Sequence, residues 1–505
     1  DDPPGTSTAS GSPLAVVSGP TLTTPADAPL SRGLTVATDR PTRLTVTVTT
    51  DAGSRTVTYP DLATAHDVPV HGLAPGGVTS LAVHLEADDG AAIDPTSLEV
   101  EADPLPAGFP WIEQVAWDGE RAEPGCWLVS LEVPDGTGWL AAIDPATAEV
   151  RWLYVGANFG DARQTEVGTY LGLASGAIEV DGLGAVLRRW TRGSPDEVIP
   201  IPWASLHHEV FPLADGGFAS LTSRRAVSPA YPRSYDDPTP DGPADIVEDA
   251  VVGFDADGAA RFDWSLADRL DPSRIGFDSL DPIAGGFDWS HANAVVPWGA
   301  DGLLVSVRHQ DALVALGPDG AVRWILGDPA GWGPATAPRV LTPVGAPDWA
   351  YHAHGPAVAD DGTIAVFDNH PWDRTPYTAG TATGTTSRVV AYGVDEAAGT
   401  VERLWSWVPA ETLASDALGN VDWLPTTGHL LADFGFLVGE GGVANSAIGR
   451  GKKSIRLIEL DPADPEPIVD LRLATDAATD PAGIIAYRAV WIPSVYPPGV
   501  VEQAP

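Results

Sequence analysis

The feature of this chain that most restricts its fold is a hairpin that recurs, each time closed by an aromatic residue. It reads AAIDPATAEVRWLY at 141–154, VGFDADGAARFDW at 252–264, ALGPDGAVRWIL at 315–326 and AYGVDEAAGTVERLW at 391–405. Each copy is strand, Asp/Gly turn, strand. A second mark repeats with it: a polar residue, an apolar run, a turn and another apolar run. HHEVFPLADGGFASL, SHANAVVPWGADGLLVSV and HGPAVADDGTIAVF follow this plan, and GNVDWLPTTGHLLADF follows it without the leading histidine. With two less regular units at 111–155 and 165–203, the count is six. Four-stranded units repeated about an axis make a β-propeller. The final run IIAYRAVWIPSVY is placed to supply a strand that closes the ring. Helical periodicity is nearly absent; ETLASDAL, residues 411–418, is the best candidate for a helical turn.

Residues 13–105 read differently. RGLTVATD, RLTVTVTT, SRTVTYPD and TSLAVHLEAD are short Thr/Val-rich alternating runs separated by turn clusters such as DAGS and APGG. That pattern predicts a small antiparallel β-sandwich of fibronectin type, joined through the Pro-rich ADPLPAGFP to a propeller spanning 106–505. The expected fold class is therefore all-β: an N-terminal fibronectin-like β-sandwich followed by a six-bladed β-propeller. His66, His71 and His84 fall in the sandwich and read as ordinary strand or surface residues.

Composition narrows the partners. The 505 residues carry 69 Asp plus Glu against 28 Lys plus Arg, a formal net charge of −41. Such a surface repels nucleic acid and anionic membranes. No run reaches the ~18 apolar residues of a membrane-spanning helix. Cys126 is the single cysteine, so no intramolecular disulfide and no Cys-based metal site can form; it reads as a small core residue. The opening DDPPGTSTASGSP looks like the start of a mature exported chain, with 1–12 as a flexible tether and a lipid-anchored origin in keeping with it.

The leading polar residues of the repeats carry the chemistry. His208 stands 8 residues before Gly216, His354 stands 8 before Gly362, and Asn420 stands 8 before Gly428. His291 precedes Gly302 by 11, through a longer turn, and Asn293 follows it closely. Rotational symmetry brings equivalent positions together, so these residues are expected to ring one mouth of the central channel. Arg308 in SVRHQ and Arg374 after FDNHPWD accompany them. Basic groups on a concave site within an acidic protein point to an anionic ligand, and Arg grips an oxyanion with two donors. A repeated histidine has a plainer role too, bonding a neighbouring blade's backbone. The pair His352 and His354 has metal-ligand spacing without a well-placed carboxylate, and no metal or other cofactor is expected. DADG at 255–258 reads as a hairpin turn rather than a calcium loop.

HHEVFPLADGG, DWSHANAVV with LLVSVRHQDALVAL and VRWILG, HGPAVADDGTIAVFDN, GNVDWLP and YRAVWIPSVYP together resemble the bacterial arylsulfotransferase family that does not use a nucleotide sulfate donor. The resemblance covers roughly residues 110–495. It implies an N-terminal β-sandwich and a six-bladed propeller, export, and transfer of a sulfuryl group from a phenolic sulfate ester to a phenolic acceptor. It also implies that His291, His354 and Arg374 are catalytic groups around the sulfate oxygens; His208, Asn293, Arg308 and Asn420 are the expected substrate-binding residues. The family's nucleophilic histidine lies in a later blade. Here no histidine lies between His370 and His429, and Asn420 holds the ring position. A second reading follows from that departure: a non-catalytic extracellular binding or structural propeller.

Overall fold

The computed structural model describes residues 13–133, 136–194, 198–378, 386–438, 451–476 and 482–503; the 1–12 tether lies outside them. Among the described residues the chain is all-β, with two short 3₁₀ turns at Arg308–Gln310 and Ala337–Arg339. ETLASDAL is not helical: Ser415 instead forms an isolated bridge to Leu437. Its Ser and Asp side chains compete for backbone groups, and one turn cannot repay helix nucleation.

The N-terminal strands join in one seven-stranded sheet built on the long strands Ser31–Thr50 and Gly53–His71. The alternation in RLTVTVTT sets its two faces: Leu44, Val46 and Val48 are buried. The threonines between them pair across the strands as Thr45–Thr58, Thr47–Thr56 and Thr49–Ser54. Register shifts between Ala37 and Leu44 mark where a bulge bends these strands. The C-terminal strand Val501–Gln503 adds to the edge of this sheet. Arg55 reaches both Asp144 and Glu149 of the next sheet at 3.1 Å, tying the two parts together.

Six further sheets of four to six strands follow. Their first strands are Ile485–Ile492, Asp161–Gln164, His207–Pro212, Ala292–Trp298, His354–Val358 and Asn420–Trp423. Each of these six packs against the next, and the last packs against the first, so they form a closed, propeller-like cycle. Both chain ends close it. Ile485–Ile492 pairs with Cys126–Glu132 as the inner strand of the first sheet, while Trp111–Trp117 pairs with Pro467–Ala474 as the outer strand of the sixth. The expected 111–155 unit is therefore divided: its first strand completes the other end of the ring.

The aromatic closing each hairpin bridges adjacent sheets. Trp152 Nε1 donates to the Gly182 carbonyl at 2.8 Å, Trp190 to Ala256 at 2.9 Å, and Trp324 to Glu396 at 2.9 Å. Trp264 covers Gly320, where an added Cβ would meet the ring at 2.5 Å, so only glycine fits there. Trp152 and Trp190 are fully buried. At about 25 cal/mol per Å² over roughly 150–250 Å², each contributes on the order of 4–6 kcal/mol to holding neighbouring sheets together. DADG is a turn, with Asp255 accepting the N–H groups of Asp257 and Ala259. In the hairpin after His291 the left-handed glycine is Gly299, φ 60°, which is 8 residues beyond the histidine. Gly302 lies in the following strand with ordinary φ. The spacing of 11 thus came from the wrong glycine, and the repeat is more regular than the sequence suggested.

Candidate functional site

Side chains at the starts of the inner strands and at the ends of the second strands share one mouth of the cycle. Among the described residues, seven of the nine non-glycine residues with positive φ lie there: His208, Asp278, His291, Asp311, His352, His370 and Leu418. Left-handed backbone costs a side-chain-bearing residue free energy, and such strain concentrates at functional sites.

Four imidazoles run in sequence across this mouth. Ring centroids are 5.2 Å apart for His208–His291, 4.6 Å for the stacked His291–His309, and 5.8 Å for His309–His352. His291 Nδ1 lies 2.6 Å from Asp288 Oδ2, which fixes the ring by a charged hydrogen bond. Its side chain is 32% exposed, and its Nε2 has no partner among the described residues. His208 Nδ1 lies 2.6 Å from His207 Nδ1, while His207 Nε2 lies 3.2 Å from Asp249 Oδ1 and 2.9 Å from Ser223 Oγ. Asp249 also accepts from Ser290 Oγ and from the Ala292 N–H, so one carboxylate orients both the His207–His208 pair and the turn that carries His291.

His309, His352 and His354 are held by their neighbours. His309 Nδ1 contacts the Asp288 carbonyl at 2.7 Å and its Nε2 contacts Arg308 Nη1 at 2.5 Å. His352 Nδ1 meets Asp311 Oδ1 at 2.8 Å, and its Nε2 lies 3.3 Å from Asp278 Oδ2. His354 Nδ1 meets Asn369 Oδ1 at 2.6 Å, and its Nε2 accepts the Leu418 N–H at 3.2 Å from the neighbouring sheet. Burial, then the charges of His207, His291, His354 and Arg488, depress the His208 pKa well below its ordinary value. Burial and neighbouring cations likewise depress His309 and His354. For His352, burial and Arg308 act downward, but Asp311 and Asp278 outweigh them and raise its pKa. The mouth thus sets imidazoles of depressed pKa beside His352, whose pKa is raised, and the Arg308 cation, which lies 3.4 Å from Asp278.

The remaining expected residues divide between this mouth and the scaffold. Asn293 is buried: its Nδ2 donates to the Ala353 carbonyl at 2.9 Å, and its own carbonyl accepts the Tyr487 hydroxyl. Asn420 donates to the Ala489 carbonyl and accepts the Ala489 N–H, both at 2.8 Å, clamping the sixth sheet to the first. Arg374 lies over the Phe277 ring at 5.6 Å and donates to the Thr378 carbonyl, without a contact to the histidines. Phe277 stacks on Trp372 at 4.5 Å and packs against Tyr235 at 5.3 Å, forming an aromatic wall beside Asp278.

Asp288, His291 and His309 each offer one atom within 4.8 Å of the others, a grouping of metal-ligand type. Both His309 nitrogens are already bonded and the Arg308 cation lies against one of them, so this chemistry disfavours a second cation. The residues that sequence reasoning passed over are His207, Asp249, Asp288 and His309. Three signals were available: the HH doublet, the RHQ run, and the Asp three residues before His291. Asp249 had none, because only the sheet pairing brings it across.

Away from the mouth, Arg488 is buried with Nε 2.9 Å from Asp161 Oδ1, and Arg163 pairs with Glu209 at 2.7 Å. These ion pairs border a cavity of about 350 Å³ lined also by Phe211, Asp422 and Trp423.

A family model described as Arylsulfotransferase (ASST) matches residues 123–488. Arylsulfate sulfotransferase AssT of Escherichia coli O6:H1 (strain CFT073) is 30% identical over 186 residues, 32% of this chain and 31% of that protein. Arylsulfate sulfotransferase AssT of Lelliottia amnigena is 31% identical over 159 residues, 28% of this chain and 26% of that protein. The matches therefore span about a third of these relatives or less. Among solved structures, a protein of unknown function from Bacteroides caccae aligns with a TM-score of 0.41 and 14% identity, covering 73% of this chain and 99% of that one. A streptogramin B lyase aligns at 0.33 and 9%, covering 72% and 98%. Likenesses at that level carry no weight here. The family match covers most of the chain and includes every histidine of the mouth: this chain belongs to the arylsulfotransferase (ASST) family.

Proposed function

We propose that this protein transfers a sulfuryl group from an aromatic sulfate ester to a phenolic acceptor at the histidine-lined mouth. In this reading the six axial sheets are the blades of one propeller, and the N-terminal strands form a fibronectin-like sandwich beside it. One observation carries the proposal: His208 and His291 face each other with unpartnered Nε2 atoms, each ring backed through Nδ1 by a carboxylate, Asp288 directly and Asp249 through His207. Transfer between two phenols changes little in free energy, so the site must chiefly position groups and balance charge. Arg308 supplies fixed positive charge for the sulfuryl oxygens, with His352 and its raised pKa beside it, and His354 holds the loop at Leu418 in place. The wall of Phe277, Trp372 and Tyr235, with Arg374 above it, suits an aryl group. Export belongs to the same reading, and fractionation of cells expressing the full-length gene tests it.

A binding-only propeller is the second reading. It is favoured by Asn420, which occupies the ring position of the last repeat and is committed to the scaffold. Release of 4-nitrophenol from 4-nitrophenyl sulfate, with and without added phenol, separates the two. Release that rises with phenol and is lost in His291→Ala supports transfer. No release from a panel of aryl sulfates by folded protein establishes the binding module.

A further inference from the structure

Beyond the histidines, the same inner strands carry a second set of side chains around the axial cavity of about 350 Å³. Arg163, Phe211, Ala357 and Asp422 each stand two residues before the position whose N–H closes its hairpin turn, namely Thr165, Leu213, Ala359 and Leu424. They therefore share one level of the ring. Val296 and Val490 line the cavity from the other two inner strands. A cavity of this size suits a small molecule, held by a few polar groups set in an apolar wall.

Most of the charge here is already committed. Glu209 Oε1 holds Arg163 Nη2 at 2.7 Å, and its Oε2 accepts the Val295 N–H at 2.8 Å. Arg488 Nε lies 2.9 Å from Asp161 Oδ1, and its Nη2 lies 3.6 Å from Glu209 Oε2. Two lining groups on either side of Val490 have an uncommitted arm among the described residues. Arg163 is fixed through Nη2 by Glu209 and Asp161, with its Cζ 4.3 Å from the centre of the Phe211 ring, and its Nη1 has no partner. Asp422 Oδ2 accepts the Trp491 N–H at 2.8 Å, and its Oδ1 has no partner. The ring thus presents a rigid cationic donor and a carboxylate acceptor, one strand apart, beside the apolar surface of Val296, Ala357 and Trp423.

We propose that this axial cavity is a second binding site, one that takes a free α-amino acid with an apolar side chain. Arg163 Nη1 donates to the ligand carboxylate, Asp422 Oδ1 accepts from its ammonium group, and the side chain packs on Val296 and Ala357. A zwitterion answers both uncommitted groups at once. A simple anion would face the Asp422 carboxylate, and a metal ion would face two guanidinium groups. Burial, partly relieved by the Trp491 N–H, Arg163 and Arg488, holds the Asp422 carboxyl up to about 6, so an ammonium group supplies the solvation its charged form lacks.

L-Phenylalanine is titrated into the full chain by calorimetry at pH 8, beside phenethylamine, which lacks the carboxylate, and 3-phenylpropanoate, which lacks the ammonium group. One equivalent of phenylalanine is expected to bind, with each analogue about tenfold weaker or more, because each leaves one charged hydrogen bond unmade. Asp422→Asn keeps an acceptor for the Trp491 N–H, unfolds at no lower denaturant than wild type, and weakens phenylalanine binding about 10–100-fold. Arg163 also neutralises Glu209, so its part is read from the amine analogue rather than from a variant. At pH 6 binding to wild type releases about half a proton, because the bound ammonium group favours ionised Asp422. The charged and titratable groups around Asp422 are Arg163 with Asp161, Glu209, Tyr487, and Arg488 with Asp433. Burial raises Glu209 as well, against Arg488 and Arg163, so loss of the release in Asp422→Asn assigns the proton. No binding of phenylalanine to folded wild type overturns the proposal. So does phenethylamine that binds as tightly as phenylalanine, or phenylalanine binding that is unchanged in Asp422→Asn. No sulfuryl donor is present, so sulfuryl transfer at the histidine-lined mouth stands or falls separately.

Discussion

Replacing Asn420 with Ala separates scaffold from chemistry. The Asn420 amide makes two bonds of 2.8 Å to the backbone of Ala489, on the edge of Ile485–Ile492 that faces the neighbouring sheet. Asn420 and Ala489 are buried, so no solvent replaces the lost partner. Leaving a buried N–H and a buried carbonyl unpaired costs about 1–3 kcal/mol each, giving an expected destabilisation of about 2–6 kcal/mol. The packing is tight as well: a Cβ on Gly355 would lie 2.2 Å from that of Asn420, so the strand cannot shift to compensate. Because this clamp joins the sheet completed by Ile485–Ile492 to the last one, its loss loosens the ring where it closes. The assay is guanidinium unfolding followed by tryptophan fluorescence, with 4-nitrophenyl sulfate turnover measured per folded molecule. The expected variant unfolds at clearly lower denaturant with unchanged turnover. An unchanged midpoint with lost turnover would show that Asn420 acts on substrate, and the clamp reasoning would be refuted.

Three further outcomes follow from the buried charges. Burial holds the Asp422 carboxyl up to about 6, against partial relief from the Trp491 N–H, Arg163 and Arg488. Its stabilising contribution is therefore complete below about pH 4 and lost as pH rises through about 6. Asp422→Asn should accordingly gain about 1–3 kcal/mol relative to wild type between pH 4 and pH 7; parallel stability profiles would contradict this. Arg488→Met leaves the buried Asp161 and Glu209 carboxylates with Arg163 as their remaining cationic partner and should cost about 3–5 kcal/mol in denaturant unfolding. Cys126 is buried, chiefly pushing its thiol up to about 12, so iodoacetamide should label it only after unfolding; labelling of the native chain would place it elsewhere.

The repeat was legible because a propeller writes its period into the chain. A tryptophan that bridges to the next sheet recurs along the chain, as Trp152, Trp190 and Trp324 show. The strand at 111–117 was misassigned for a topological reason: it pairs with residues more than 340 positions away, and no local pattern records that partner. His208 and His291 could be named from spacing, yet their roles could not. Whether a ring nitrogen is free depends on groups such as Asp249 and Leu418, which the ring closure alone brings near. His354 and Asn420 illustrate the limit. Both stand where a ligand group is expected, and both bond a neighbouring sheet's backbone.

The most direct test of the central claim, that the histidine-lined mouth moves a sulfuryl group from an aryl sulfate to a phenol, is the mass balance of the reaction. 4-Nitrophenol release from 4-nitrophenyl sulfate is measured as phenol is raised, and the phenyl sulfate formed is counted by mass spectrometry. One phenyl sulfate for each 4-nitrophenol released is predicted. Release without phenyl sulfate, or no release by folded protein, would contradict the account.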